Sequence, residues 1–147
     1  MKVPETRGYL VGLNEKGEFT IPKKLMKKIV DSVGETALII WLPHEKTLRI
    51  QSVDCQKVIK LTVWFKAITQ TIFEDHLNPA VEPYRNFLLY RTGVLFPADI
   101  DEKPSVEYYF KNGTTQEEKV KELEKKIKDL EGVALVEVRM LERYTGD

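Results

Sequence analysis

The chain has 147 residues, room for one domain or two small ones, and its 42% hydrophobic and 10% aromatic content excludes wholesale disorder. Lys plus Arg and Asp plus Glu both number 23, so the net charge is zero and any surface for nucleic acid must be local. A single cysteine, Cys55, excludes an internal disulfide framework and suits a reducing compartment, where it reads as a small buried hydrophobe.

The opening MKVPETRGYL has no apolar signal core, and no run approaches the roughly 18 apolar residues of a membrane span. The protein is therefore expected in the cytoplasm. Charged residues at 31%, mostly Lys and Glu, with only four Asn and four Gln, suit a heat-adapted (thermophile) source.

In chain order, Tyr9-Leu10-Val11 reads as a strand, Asn14-Glu15-Lys16-Gly17 as its turn, and Glu18-Phe19-Thr20-Ile21 as the returning strand, polar and apolar in alternation. Pro22 lacks the N–H a ladder needs but suits the first turn of a helix, so the chain is expected to switch there from strand to helix. That helix runs from Lys23 to about Val33, with Leu25, Ile29 and Val33 in one apolar stripe and Gly34 as its stop. Strands at Thr36 to Leu42 and Thr47 to Ser52 come next, joined by Pro43-His44-Glu45-Lys46. A hairpin–helix–hairpin unit of only about 45 residues rarely buries enough surface alone, and without disulfides or metal the remaining route is a dimer.

From about Lys57 the pattern changes. Val58 to Phe65 predicts an apolar strand. Thr69 to about Leu77 predicts a helix ended by Pro79 and Pro83. Asn86 to Phe96 reads as a hairpin or a strand broken at Thr92-Gly93. After a loop with Pro97 and Pro104, Val106 to Phe110 is a further strand. Thr115-Gln116-Glu117-Glu118 is a capping box that opens a helix. Its buried stripe is Val120, Leu123, Ile127 and Leu130, its flank pairs Glu124 with Lys128 and Glu122 with Lys126, and Gly132 closes it. Val136, Val138 and Met140 then alternate along a last strand. The order β-α-β-β-α-β is that of a split βαβ, ferredoxin-like domain. The fold class is thus α+β, with domains at 1–55 and 56–147.

Little in the chain points to catalysis. His44 sits in a turn, and Glu74-Asp75-His76 are neighbours that cannot converge on one metal from a helix. Gly12, Gly17 and Gly34 are too scattered for a phosphate loop, and no nucleophile–base–acid set stands out. No enzyme, metal or cofactor is expected. The one local charge concentration is Lys23, Lys24, Lys27 and Lys28, which reads either as a solvated helix face or, doubled to about eight ammonium groups in a dimer, as a grip on phosphates. Up to Gln56 the chain carries 9 basic and 7 acidic residues, net +2, and the remainder is net −2.

The stretch from Gly17 through Thr20-Ile21-Pro22-Lys23 and Leu25 into a basic helix, then Gly34-Glu35 before an apolar strand, resembles the AbrB-type swapped-hairpin family. The similarity spans Gly8 to Ser52, about a third of the chain. It implies two chains interleaved into one barrel-like homodimer and, as for most members, DNA binding in transcription regulation. The candidate DNA-binding residues are Asn14, Lys16, Lys23, Lys24, Lys27 and Lys28. Glu18 and Val11 stand where that family commonly has arginine, and Lys24 where it often has Glu. The second half is similar in element order to ACT-type modules, which implies a ligand-sensing or oligomerising role with a small-molecule effector. Two readings result: a dimeric DNA-binding regulator, or, given Glu18 and Val11, a protein-interaction or antitoxin-like assembly module that has lost DNA contact.

Overall fold

The computed structural model describes residues 10–25, 27, 36–43, 45–67, 70–97, 102–112 and 116–142. The chain divides into two compact units, Met1–Asp54 and Cys55–Asp147. Among the described residues the fold is α+β, with six strands in two antiparallel sheets, neither closed into a barrel. No helix of the described residues is long and apolar enough to cross a membrane.

In the first unit the turn at Asn14–Gly17 forms as its residue types dictate. Gly17 takes φ +77, and the Asn14 side-chain oxygen accepts the N–H groups of Lys16 at 2.9 Å and Glu18 at 2.8 Å. The strands predicted on either side of it do not appear among the described residues, and Tyr9 lies outside them. Among the described residues, 10–13 and 18–21 share no ladder, only the Asn14 N–H donating to the Glu18 carbonyl at 2.9 Å and the turn's own bond from Gly17. The physical reason is that a two-stranded ribbon is marginal in water without a third strand or a packed face. After Pro22, residues Lys23, Lys24, Leu25 and Lys27 are helical, as predicted. The rest of the predicted helix, Gly34, Glu35 and His44 lie outside the described residues. Strands β1 (Thr36–Leu42) and β2 (Thr47–Val53) pair antiparallel from Thr36↔Val53 to Leu42↔Thr47. Leu38, Ile40 and Leu42 are buried, while Ile39 and Trp41 on the opposite face are 61% and 58% exposed.

The second unit begins with β3 (Lys57–Phe65), an inner strand of a four-stranded sheet ordered β4 (Leu88–Arg91), β5 (Ser105–Lys111), β3 and β6 (Val133–Glu142). Its odd positions Ile59, Leu61, Val63 and Phe65 are fully buried on the side that meets the helices. A helical run at 70–87 comes next, and here the prediction that Pro79 and Pro83 end it is overturned. The run continues through both because each proline falls in the first turn of a new segment, where its missing N–H is no loss. The winding changes at each junction: a π-helical turn Ile72–Leu77, an α-helical turn Asn78–Val81, then a 3-10 segment Glu82–Phe87. Asn86 and Phe87 therefore belong to helix, and only β4 (Leu88–Arg91) is strand. β4 pairs with β5 (Ser105–Lys111) through a bulge between Leu88 and Tyr90.

The helix Gln116–Lys128 buries Val120, Leu123 and Ile127 completely, three of the four residues of the predicted stripe; the fourth, Leu130, lies past the helix end and is half-buried against the core. Thr115 of the capping box lies outside the described residues. Glu124 and Lys128 pair at 2.9 Å, but Lys126 turns from Glu122 to lie 5.9 Å over the Tyr84 ring. The ring offers apolar cover to the lysine stem as well as its π-face, which an exposed i,i+4 pair does not. Gly132, at φ +87, turns the chain into β6 (Val133–Glu142), which runs antiparallel to β3.

Candidate nucleic-acid interface

Two local devices shape the basic region. The Asx turn fixes Lys16 at its tip, and Pro22 starts the helical turn that presents Lys23, Lys24 and Lys27. All four lysines are exposed, and none is paired with a carboxylate among the described residues. In the second unit Lys57, Lys60, Lys121 and Lys128 each sit within 3.5 Å of a glutamate oxygen. An unpaired ammonium set raises the local potential that attracts phosphates, whereas a paired one is largely cancelled. Lys28 lies outside the described residues. Asn14 is brought to the same turn, but its side-chain oxygen is committed to two backbone N–H groups, so only its amide NH2 remains to meet a base edge.

Close to these lysines in sequence, the extended segments carry apolar side chains that face outward: Leu10, Leu13 and Phe19 are 103%, 67% and 47% exposed. Glu18 is exposed as well, between the turn and Phe19.

A second set of polar groups, which sequence reasoning missed, gathers in the other unit. Arg91 at the end of β4 is the cross-strand partner of Tyr108 on β5. Its Nη1 donates to Asn78 Oδ1 at 3.2 Å. These three, with Val81, Glu82, Arg85 and Leu88, line a cavity of about 320 Å³. Nothing in the sequence joins positions 78, 91 and 108, because a helical junction and a strand bulge decide their meeting. Among the described residues no group of three His, Cys, Asp or Glu side chains is arranged to hold a metal. Cys55 is buried and in no disulfide among the described residues.

No protein-family model, curated protein or solved structure matches the chain.

Proposed function

We propose that the protein is a DNA-binding transcriptional regulator that acts as a homodimer, its first unit completed by hairpin exchange and its second unit serving as a ferredoxin-like, ACT-like sensing or oligomerisation domain. The observation that carries this reading is the coincidence of unpaired lysines with an apolar arm that has no ladder. Lys16, Lys23, Lys24 and Lys27 are exposed without ion-pair partners, and Leu10, Leu13 and Phe19 extend beside them without strand pairing among the described residues. A second copy would supply the missing strands and cover those side chains. It would also bring the two lysine sets together, which multiplies the counterions released on a duplex. For the second unit, the sheet order β4-β5-β3-β6 with every neighbour antiparallel, and helices after its first and third strands, supports the split βαβ arrangement.

The test is fluorescence anisotropy of a labelled mixed-sequence duplex across a salt series, with wild type and a Lys23/Lys24/Lys27/Lys28→Ala variant. Wild type is expected to lose affinity with a log–log slope of roughly 0.9 per phosphate neutralised, and the variant to show a much flatter slope. Weak, salt-independent binding by both proteins would reject the DNA reading.

A second reading rests on Glu18, an exposed carboxylate between the turn and the basic helix. It opposes phosphate approach and suits an assembly or antitoxin-like module with a protein partner. Glu18→Arg separates the two: the regulator gains duplex affinity from it, and the assembly module gains none.

A further inference from the structure

We propose that the cavity bounded by Asn78, Val81, Arg85, Leu88, Arg91 and Tyr108 is a binding site for a small organic carboxylate, with Arg91 and the Tyr108 hydroxyl taking the carboxylate and Val81 and Leu88 taking its apolar body. The proposal gives the second unit a ligand class and rests on the sensing role only for its biological use.

Four features of the unit converge on this site. The bulge between Leu88 and Tyr90 advances β4 by one position, so that Arg91 rather than Tyr90 stands opposite Tyr108. Directly opposed residues share a face, so the bulge carries a guanidinium to the side of the sheet that packs against the helices. Second, the π-helical turn Ile72–Leu77 ends with the Asn78 N–H donating to the Phe73 carbonyl, and at that junction the Asn78 side chain meets Arg91. Single π turns recur at functional sites because the extra residue redirects the side chains beyond it.

Third, Tyr108 is 1% exposed and its buried hydroxyl makes no hydrogen bond of acceptable geometry. The Arg91 guanidinium lies beside it, near enough to act both as a charge and as a loosely placed hydrogen-bond donor. A buried hydroxyl lacking a partner is uncommon and costly, and a ligand oxygen is one way to satisfy it. Burial also pushes the hydroxyl up to about 12, so at neutral pH it is a donor.

Fourth, the charge balance favours an anion. Arg85 is held by Glu82 at 3.0 Å, but Arg91 meets no carboxylate among the described residues, which leaves the lining with one net positive charge. Arg91 and Asn78 also border a neighbouring cavity of about 270 Å³ whose lining includes Phe73, Val94 and Val106 together with Glu74, which accepts from Gln70. Apolar walls around a few convergent polar groups are the usual make-up of a small-molecule site. The planar fork of Arg suits two-point recognition of a carboxylate.

The experiment is an NMR and calorimetric titration of the full chain, without DNA, using three probes: phenylacetate, its neutral analogue phenylacetamide, and inorganic phosphate. Phenylacetate is expected to saturate at millimolar concentration or below, with shifts at the Val81 and Leu88 methyls, while phenylacetamide and phosphate bind at least tenfold more weakly. Arg91→Met is expected to weaken phenylacetate tenfold or more, and Tyr108→Phe several-fold, while Lys121→Met, which removes the same charge elsewhere, leaves affinity unchanged. Circular dichroism on each variant shows whether its fold is intact. Absence of saturable phenylacetate binding, equal affinity for phosphate, or unchanged affinity in a folded Arg91→Met protein would each overturn the proposal. Because the titration contains no duplex, these outcomes are independent of the lysine test.

Discussion

Tyr108 buries a hydroxyl with no well-formed hydrogen bond among the described residues, and its neighbour Tyr109 donates to Glu107 Oε2 at 2.7 Å. The two adjacent phenols on β5 therefore differ in what their oxygen atoms contribute. Removing the unpartnered one by Tyr108→Phe relieves a desolvation penalty, so the variant is expected to gain about 1 kcal/mol in urea unfolding without ligand. A loss of that size would show that the hydroxyl is bonded. Both phenols titrate above the usual tyrosine value: burial raises Tyr108 to about 12, and burial together with the Glu107 hydrogen bond raises Tyr109 further. Folded tyrosines thus hold their protons more tightly than those of the unfolded chain, which ionise near 10. The stability this confers is complete below pH 10 and is lost as pH climbs through 12. Urea midpoints measured from pH 9 to 12 are expected to fall over that window, and Tyr108→Phe to flatten the decline. Gly132 sets a second residue-scale constraint. At φ +87, a Cβ there would stand 2.5 Å from Ile72 Cδ1, so Gly132→Ala combines backbone strain with a clash. Thermal unfolding should show a loss of about 2 kcal/mol or more.

At the scale of elements, the helix Gln116–Lys128 is secured by its stripe rather than by its charges. Val120, Leu123 and Ile127 are wholly buried against the sheet, while Glu124 with Lys128 and Glu117 with Lys121 pair on the surface. Leu123→Ala is expected to cost about 3 kcal/mol and Glu124→Ala under about 0.5, as read from urea midpoints. Comparable costs for the two would mean that packing does not dominate. This element was legible in the sequence because its apolar spacing reports the helix from within; its end was not, since the helix stops at Lys128, short of Gly132. The helical run at 70–87 was legible only as far as its first proline. Whether a proline stops a helix or starts the next segment depends on what the chain packs against. Here Leu77, Val81 and Tyr84 are all in the core, so burial continues across both junctions and the helix with it. The first hairpin errs in the opposite direction. Its alternation is that of a strand, yet period alone does not provide a neighbour to bond with.

For the molecule as a whole, the first unit leaves apolar cross-strand neighbours uncovered: exposed Ile39 stands opposite half-buried Ile50, and exposed Trp41 opposite exposed Leu48. If a second copy covers this region, Trp41→Lys places an ammonium within the contact. Sedimentation at micromolar concentration is then expected to show wild type at twice its 17.1 kDa chain mass and the variant shifted toward the single chain. A wild-type protein that sediments as one chain would reject the dimer. Runs of neighbouring residues dictate the Asn14–Gly17 turn, the helical start after Pro22, the hairpin of β1 and β2, the order of the strands in the second unit and most of the buried stripe of its last helix. Each arises from side-chain period, a missing N–H or a permitted φ, all readable over a few consecutive positions. Long-range packing, by contrast, makes Pro79 and Pro83 restart a helix, draws Lys126 from Glu122 to Tyr84, and brings Asn78, Arg91 and Tyr108 into one cavity. Those outcomes depend on a bulge, a change of helical winding and the burial of a hydroxyl, and each of these is settled by contacts between residues distant in the chain.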